Sequence, residues 1–211
     1  MLLDLASLSP NQIYYTFIQT IVPRPIAWVL SDNGSDGSYN LAPFSYFNGV
    51  SSNPPIIMLS IGKKADGSPK DTLKNIEERS DFIVHIAHRE LAPQVTATSA
   101  SLPHGKSELD ELGLETTPIL DANGQSVSRL PRLRAARIAF VCSMERVLEI
   151  GNQPQGVVFG NVHHVYVDDA AATEGDGGRM TIDAHKIDPL ARIGGNDYAL
   201  FGETVTVPRP K

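Results

Sequence analysis

The stretch that decides the fold runs from Arg24 to Ser60, RPIAWVLSDNGSDGSYNLAPFSYFNGVSSNPPIIMLS. Its apolar residues fall into short runs bounded by Gly, Asn, Ser and Pro, a pattern typical of β-strands. Ile26 to Leu30 is the first run, and the Gly/Asp/Asn/Ser cluster from Ser31 to Ser38 predicts a hairpin turn after it. The stretch therefore predicts a polar, aromatic-rich loop carried between two strands, an arrangement that often forms a ligand site.

The second half of this stretch contains prolines at informative places. Pro43 lies inside the returning segment Tyr39 to Phe47, which predicts a strand broken by a loop because proline cannot donate to a β-ladder. Asn53-Pro54-Pro55 predicts an extended entry into a buried strand from Ile56 to Ile61. The loop from Asn40 to Ser45 is either a surface that turns backbone groups toward a planar ring or a bulged edge strand with a packed Phe44.

Helices are predicted to be few and short. Asn11 to Thr20, with Ser9 or Asn11 as a possible cap, is a helical or extended entry. Lys70-Asp71-Thr72 opens a helix that reaches Arg79, with Asp71 or Thr72 as its N-cap. Further short helices are expected within Glu90 to Ser101 and from Ser107 to Gly113.

Strands dominate the second half of the chain. Ala135 to Ile150 and Val157 to Asp168 alternate between apolar and polar residues, and Gln153 to Gly156 supplies a turn, so a long hairpin is predicted. A further strand is predicted at Asp81 to Ala87. The pattern of many short strands with a few short helices predicts an antiparallel β barrel decorated by helices. We expect one domain over residues 1–211, with a core at about 14–201, a leader at 1–12 and a tail at 203–211.

The composition restricts the class of protein. The 211 residues are 41% hydrophobic and 20% charged, with mean hydropathy −0.13, as in soluble globular proteins. A net charge of −6 argues against a nucleic-acid partner. No apolar run approaches the roughly 20 residues of a membrane helix, so no membrane association is expected. With Cys142 as the single cysteine, no intrachain disulfide can form, which predicts a reducing, cytoplasmic location.

Three polar clusters are candidates for one ligand site: Asn40 to Tyr46, Ser60 together with Lys70-Asp71-Thr72, and Arg192 to Asn196. The second cluster has the elements of a phosphate site, namely a lysine charge, a hydroxyl and free N–H groups at a helix start. Its simpler interpretation is a capped helix with Lys70 in water.

Other conspicuous side chains have structural interpretations. Trp28 belongs by default to the core, with ligand contact as the alternative. Cys142 lies in an alternating apolar strand and is interpreted as a small buried hydrophobe. His163 and His164 point to opposite faces of a strand and cannot form a simple two-histidine chelate. The sequence contains no convincing Ser/His/Asp set, no paired catalytic carboxylates and no metal-ligand spacing. It also has no dinucleotide-binding GxGxxG motif after a strand.

The ordered motifs resemble those of one family. They are Arg24 to Val29, Asn40 to Phe47, Asn53 to Pro55, Lys70 to Ile76 and Arg192 to Tyr198. Together they resemble the flavin reductase-like, FMN-binding split-barrel proteins of the flavoredoxin group, over about Tyr14 to Phe201. The resemblance implies a mainly β fold with short helices, a six-stranded antiparallel Greek-key split barrel, a homodimer, and non-covalent FMN near the subunit interface.

The resemblance also implies roles for individual residues. Lys70 and Thr72, with Ser60, would hold the phosphate, and the loop from Ala42 to Ser45 would lie against the isoalloxazine ring. The strand at Arg24 and the motif from Arg192 to Gly195 would lie close to the cofactor. The cofactor-binding candidates are therefore Arg24, Trp28, Asn40, Ala42, Pro43, Phe44, Ser45, Ser60, Lys70, Asp71, Thr72, Arg192 and Gly194.

The function implied is an oxidoreductase whose FMN accepts hydride at N5 from transiently bound NAD(P)H and passes electrons to a flavin or another small acceptor. No catalytic side chain and no metal ligand are expected, because the flavin carries the chemistry. Two alternatives remain open: an FMN-bound electron carrier or flavin-binding protein without nicotinamide chemistry, and a cofactor-free protein that retains the fold.

Overall fold

A computed structural model describes residues 1–34, 37–100, 102–103, 105–152, 155–175 and 178–210. The α-helices are α1 Pro10–Thr20, α2 Asp71–Arg79, α3 Ala92–Ala97, α4 Glu108–Leu112 and α5 Ala184–Ile187. The strands are β1 Arg24–Pro25, β2 Ala27–Asp32, β3 Tyr39–Phe44, β4 Phe47–Ser52, β5 Pro55–Ile61, β6 Asp81–Ile86, β7 Thr116–Thr117, β8 Arg132–Leu133, β9 Ile138–Ile150, β10 Gln155–Val167, β11 Ala172–Glu174, β12 Met180–Ile182, β13 Ala191–Gly194 and β14 Asp197–Ala199. Short 3₁₀ helices lie at Leu5–Ser7, Arg89–Leu91 and Asp169–Ala171.

The central element is a seven-stranded antiparallel sheet in the order β3-β2-β6-β9-β10-β5-β4. The prediction of a mainly β, antiparallel fold with short helices is confirmed. The prediction of six strands is not, because Ser45 and Tyr46 divide the segment from Tyr39 to Ser52 into two strands. No ladder between β3 and β4 closes this sheet into a barrel.

The two edge strands of the sheet nevertheless come together at one point. β3 and β4 lie at opposite ends of the strand order, yet only Ser45 and Tyr46 separate them in the chain. The sheet must therefore curl strongly, and the Ser60 N–H donates to the Tyr46 carbonyl at 2.8 Å where the edges meet. This meeting point positions the candidate site.

Alternating side chains of the sheet feed two apolar clusters. Trp28 and Leu30 of β2 pack into one cluster, while Ala27 and Val29 pack into the other. All four side chains are fully buried, because elements cover both faces of this strand. The run IAWVL is consequently apolar throughout and does not alternate.

The predicted hairpin is confirmed, because β9 and β10 pair along most of their length. Its predicted turn includes Gln153 and Pro154, which lie outside the described residues, as do Ser35 and Asp36 of the earlier turn. The helix from Ser107 to Gly113 is confirmed as α4, with Gly113 left-handed at φ 62°. The helix expected within Glu90 to Ser101 is shorter, since only α3 follows the Arg89–Leu91 turn, and Ser101 is not described.

Two local predictions need correction. β3 runs through Pro43 to Phe44, and the break falls at Ser45 and Tyr46; β3 is an edge strand, so a missing donor is tolerated there. The N-cap of α2 is Lys70, with no side-chain cap bond, and Asp71 and Thr72 lie inside the first turn.

The entry segment is helical. Ser9 caps α1 in a reciprocal capping box with Gln12, and Pro10 occupies the first turn, as its fixed φ favours. Of the helices in the described part of the chain, none is long and apolar enough to cross a membrane.

Candidate functional site

An open cleft with a volume of about 1070 Å³ lies where the two edges of the sheet meet. It is bordered by α1, by the segment between β3 and β4, by the end of β5, and by the tip of the β9–β10 hairpin. Its described lining residues are Pro10, Asn11, Ile13, Tyr14, Phe17, Ile18, Pro43, Phe44, Ser45, Tyr46, Ser60, Gly62, Lys63, Lys70, Ile150, Gly151, Asn152 and Gln155.

A small pocket of about 60 Å³ adjoins this cleft at the start of α2. Pro43 and Lys70 line both, so the two volumes are adjacent. The remaining lining residues of the pocket are Asn40, Ala42, Lys64, Asp71, Thr72, Thr98, Ser99, Ala100, Leu102 and Glu108. Nine of the thirteen predicted cofactor-binding residues line one or both volumes; they are Asn40, Ala42, Pro43, Phe44, Ser45, Ser60, Lys70, Asp71 and Thr72.

Lys70 is the charge that the pocket leaves uncompensated. Lys64 pairs with Asp71 at 3.0 Å. Lys70 is half-buried, its Nζ lies 5.5 Å from the centroid of the Phe44 ring, and within the described chain it has no carboxylate or hydrogen-bond partner. Desolvation lowers the pKa of Lys70. An anion in the pocket would therefore stabilise this ammonium group.

Thr72 is oriented by a neighbouring amide. Asn40 Nδ2 donates to Thr72 Oγ1 at 2.8 Å, in a buried contact between β3 and α2. Because the hydroxyl oxygen accepts this bond, its proton is free to be donated to a ligand oxygen. The first N–H groups of the nine-residue α2 add a partial positive charge at the same place.

Glu108 also lines the small pocket, and its carboxyl group is engaged by the backbone of β3. Its Oε2 accepts from the Leu41 N–H at 2.9 Å, and burial raises the pKa of this side chain. Glu108 thereby ties α4 to β3. The anion-binding groups of the pocket are accordingly Lys70 and Thr72.

The segment from Pro43 to Tyr46 forms an apolar surface beside the pocket. Phe44 is buried and the other three residues are half-buried. Burial, and then the charge of Tyr14, raise the pKa of Tyr46. Such a surface, with few polar groups at its edge, suits a planar ring. Of the two interpretations left open by the sequence, the edge strand with a packed Phe44 is present without a bulge, and this strand also lines the cleft.

Three predicted site residues lie behind the cleft and hold α1 in place. Arg24 is 4% exposed, and its Nη1 donates to the carbonyls of Ile18 (2.5 Å) and Ile21 (2.8 Å) at the end of α1. Its Nε donates to Ser45 Oγ at 3.3 Å. Arg24 thus connects α1 to the apolar surface.

Arg192 and Gly194 complete this support. Arg192 pairs with Arg24 across the β1–β13 ladder, and its guanidinium lies over the Tyr198 ring at 4.8 Å. Gly194 has φ +100°, and a Cβ there would lie 3.0 Å from the Ile18 carbonyl oxygen. The absence of a side chain therefore allows α1 to approach β13 closely.

Gly194→Ala should lower the free energy of unfolding by about 2 kcal/mol, because the new methyl group meets both the unfavourable φ and the Ile18 carbonyl. Gly195→Ala is the matched control: φ is +55° and nothing lies within 4 Å of its Cβ position, so about 1 kcal/mol is expected. Urea unfolding of both variants measures the difference. Equal losses of unfolding free energy would contradict the close packing of α1 against β13.

Trp28 does not reach the cleft. Its side chain is fully buried in the core, and its Nε1 donates to Thr98 Oγ1 at 2.8 Å. Thr98 itself lines the small pocket, so Trp28 is connected to the pocket only through this hydrogen bond to Thr98.

The contribution of α1 to the cleft was not predicted from the sequence, and neither were those of Lys63 and the hairpin tip; Tyr46 belongs to the predicted cluster from Asn40 to Tyr46. The indication for α1 was present in the aromatic residues Tyr14, Tyr15 and Phe17 just after a strong helix start at Ser9-Pro10. Within the described ranges, no three His, Cys, Asp or Glu side chains are grouped to hold a metal ion.

Comparison with known proteins decides the family. A family model described as a flavin reductase like domain matches residues 19–190. The chain belongs to the flavin reductase-like family. The match covers β1 to α5, including the small pocket and the part of the cleft that lies outside α1, and the family prediction is confirmed.

Solved structures of flavin reductase-like proteins agree with this assignment. Component B of nitrilotriacetate monooxygenase from Bacillus cereus is 31% identical, with 98% of each chain covered and a TM-score of 0.84. The 2-nitrobenzoate 2-nitroreductase NbaA from Pseudomonas fluorescens is 26% identical, covering 100% of this chain and 96% of NbaA, with a TM-score of 0.84. A putative flavin reductase with a split barrel domain from Shewanella frigidimarina shares the fold at 19% identity, 98% and 96% coverage and a TM-score of 0.78.

Proposed function

We propose that this flavin reductase-like protein binds FMN non-covalently in the cleft and acts as an oxidoreductase that takes hydride from NAD(P)H and passes electrons to a flavin or another small acceptor. The observation that carries the proposal is that an apolar surface and a cationic pocket lie side by side. Pro43 and Lys70 line both volumes, so one ligand with a planar ring and a phosphate could contact both.

The residues of the site fit such a ligand. Lys70, the Thr72 hydroxyl and the first N–H groups of α2 would hold the phosphate, while Ser60 lines the cleft beside Lys70. The segment from Pro43 to Ser45 would lie against the ring. Because the protein carries a net charge of −6, this local cation offsets an overall field that repels a phosphate.

The protein's part in the reaction is binding and orientation. FMN, when bound, supplies hydride acceptance at N5 and electron transfer. Arg24 keeps Ser45 and the end of α1 in register, so the ring-facing surface and the opposite wall of the cleft stay at a constant separation. The described part of the β9–β10 hairpin tip would border the bound ligand on a third side.

The experiment that tests the reaction is anaerobic reduction of the FMN-loaded protein. NADH or NADPH should bleach the flavin absorbance at a rate fast enough for turnover with an added acceptor. Bleaching by dithionite but by neither nicotinamide would overturn the NAD(P)H-dependent enzyme and favour the second candidate, an FMN-bound electron carrier.

Thr72→Val should weaken FMN binding about three- to tenfold, because it removes one hydroxyl donor to the phosphate. Thr96→Val is the matched control, since Thr96 is an exposed helical threonine outside both volumes. Fluorescence titration with FMN measures both affinities. Equal affinities for the two variants would remove Thr72 from the phosphate site.

A homodimer in the cytoplasm is part of the same proposal. Apolar side chains on the hairpin and on edge strand β4 are unusually exposed: Leu148 is 46%, Ile150 54%, Val165 47% and Val50 52% exposed. A second copy would cover this surface. Light scattering during gel filtration should give about twice the 22.8 kDa chain mass, and a monomer at micromolar concentration would contradict the dimer.

A further inference from the structure

Helix α1 presents two aromatic side chains to the cleft. Tyr14 and Phe17 are three residues apart and so lie on one face of the helix. Both line the cleft, although they remain 52% and 39% exposed. We call these two residues the aromatic wall. Tyr15 is similarly exposed at 49% but lines neither the cleft nor the small pocket.

The aromatic wall is held firmly. The capping box of Ser9 and Gln12 secures the start of α1, and the guanidinium of Arg24 binds the carbonyls at its end. Gly194 allows the same end to pack against β13. Since both ends of the helix are anchored, the exposed rings belong to a built surface and not to a frayed terminus.

The cleft lies at the upper end of the size range of pockets for a single small ligand. Pockets for a single small ligand typically measure roughly 300–1,000 Å³, and the adjoining small pocket provides additional space for a phosphate. The cleft alone measures about 1070 Å³. The Pro43–Tyr46 surface and the aromatic wall line the same cleft, so a ring lying on that surface would share the cleft with the exposed side chains of Tyr14 and Phe17.

The charges around the cleft favour a negative ligand. Its described lining includes Lys63 and Lys70 but no Asp or Glu. This is unusual in a chain with 24 acidic and 18 basic residues. With Lys70 assigned to the cofactor phosphate, Lys63 remains for a second anion.

We propose that the aromatic wall, together with Tyr46 and Lys63, forms a second subsite for a planar aromatic anion, such as an aromatic carboxylate, which binds as the acceptor substrate. The inference rests on the proposed FMN function, because the flavin ring forms the other face of the subsite. Tyr14 and Phe17 select for a flat ring by stacking or edge contact, and Lys63 selects for the charge.

Binding of three unreactive probes to the FMN-saturated protein tests this subsite. Benzoate has the ring and the charge, benzamide has the ring alone, and cyclohexanecarboxylate has the charge alone. Perturbation of the flavin absorbance and calorimetry should both show benzoate binding most tightly. Tyr14→Ala should weaken benzoate binding about three- to tenfold, while Ile21→Ala, which removes an exposed apolar side chain at the end of α1 outside both volumes, should stay within twofold of the wild type.

The charge is tested with a second pair of variants. Lys63→Gln should reduce the preference for benzoate over benzamide at least threefold, and Lys74→Gln, a change at an exposed α2 lysine outside both volumes, should leave it unchanged. Normal FMN binding with equal affinity for the three probes, or equal effects of Tyr14→Ala and Ile21→Ala, would overturn the subsite alone. Failure of the wild-type protein to bind FMN would overturn the proposed function as well.

Discussion

Lys70→Ala should weaken FMN binding by roughly 1 to 3 kcal/mol, or about 5- to 150-fold in Kd. The reason is that Lys70 is the one lysine of the small pocket without a described carboxylate partner, while Lys64 is neutralised by Asp71. Its half-buried ammonium group is desolvated already, so a phosphate beside it experiences weak screening by water. Fluorescence titration of the flavin-free variant with FMN measures the loss.

Lys74→Ala is the control for this change. Lys74 lies one turn further along α2, is exposed, and faces Glu78 at 4.0 Å. The substitution removes an equal charge from the same helix at a position outside the pocket lining. The FMN affinity of this variant should therefore stay within about twofold of the wild type. Equal losses in the two variants would show a general charge effect. Unchanged affinity in a folded Lys70→Ala protein would refute the phosphate assignment.

Acidification from pH 7 to pH 5 should cost about 2 kcal/mol of stability through His85 alone. This side chain is fully buried, and burial lowers its pKa from 6.5 to about 4. The Leu133 N–H donates to Nε2 at 3.0 Å, so Nε2 carries no proton and Nδ1 donates to the Trp28 carbonyl at 3.0 Å. A proton on Nε2 would oppose the Leu133 donor.

The direction of this effect follows from the two pKa values. Between pH 6.5 and 4 the unfolded chain binds a proton at His85 and the folded chain does not, so the stability contribution is complete above pH 6.5 and falls with pH down to about 4. Urea unfolding of the wild type and of His85→Gln at pH 7 and pH 5 isolates the contribution of His85 to the free energy of unfolding. His88, whose pKa burial also lowers, contributes to both proteins equally. Parallel losses in the two proteins would contradict the assignment.

Local patterns predicted the elements that local chemistry determines. The β9–β10 hairpin was recognisable because period-two alternation persists over two long segments, and α4 because Ser107 and Gly113 bracket it. The ordered motifs from Arg24 to Tyr198 predicted the family; Asn53 to Pro55 lies at a turn and Lys70 to Ile76 at a helix start, while the other three lie mainly on strands. The pocket of Asn40, Lys70 and Thr72 was predicted from the same motifs.

Long-range packing determined what sequence patterns could not show. Nothing near Arg24 indicates that its guanidinium binds the end of α1 and Ser45 instead of lining the cleft. The strand count depended on a bend at Ser45 and Tyr46, which is set by the meeting of two distant sheet edges. The default interpretation of Trp28 as a core residue agrees with its full burial, and its alternative as a ligand contact does not. Its Nε1 donates instead to Thr98, seventy residues further along the chain.

The most direct test of the central claim is a titration of the purified, flavin-free wild-type protein with FMN, followed by flavin fluorescence and absorbance. If FMN binds in the cleft, the titration shows saturable binding of one FMN per chain. The protein is then yellow after gel filtration and releases intact FMN on denaturation. A folded protein that stays colourless and leaves the fluorescence of added FMN unchanged would contradict this claim.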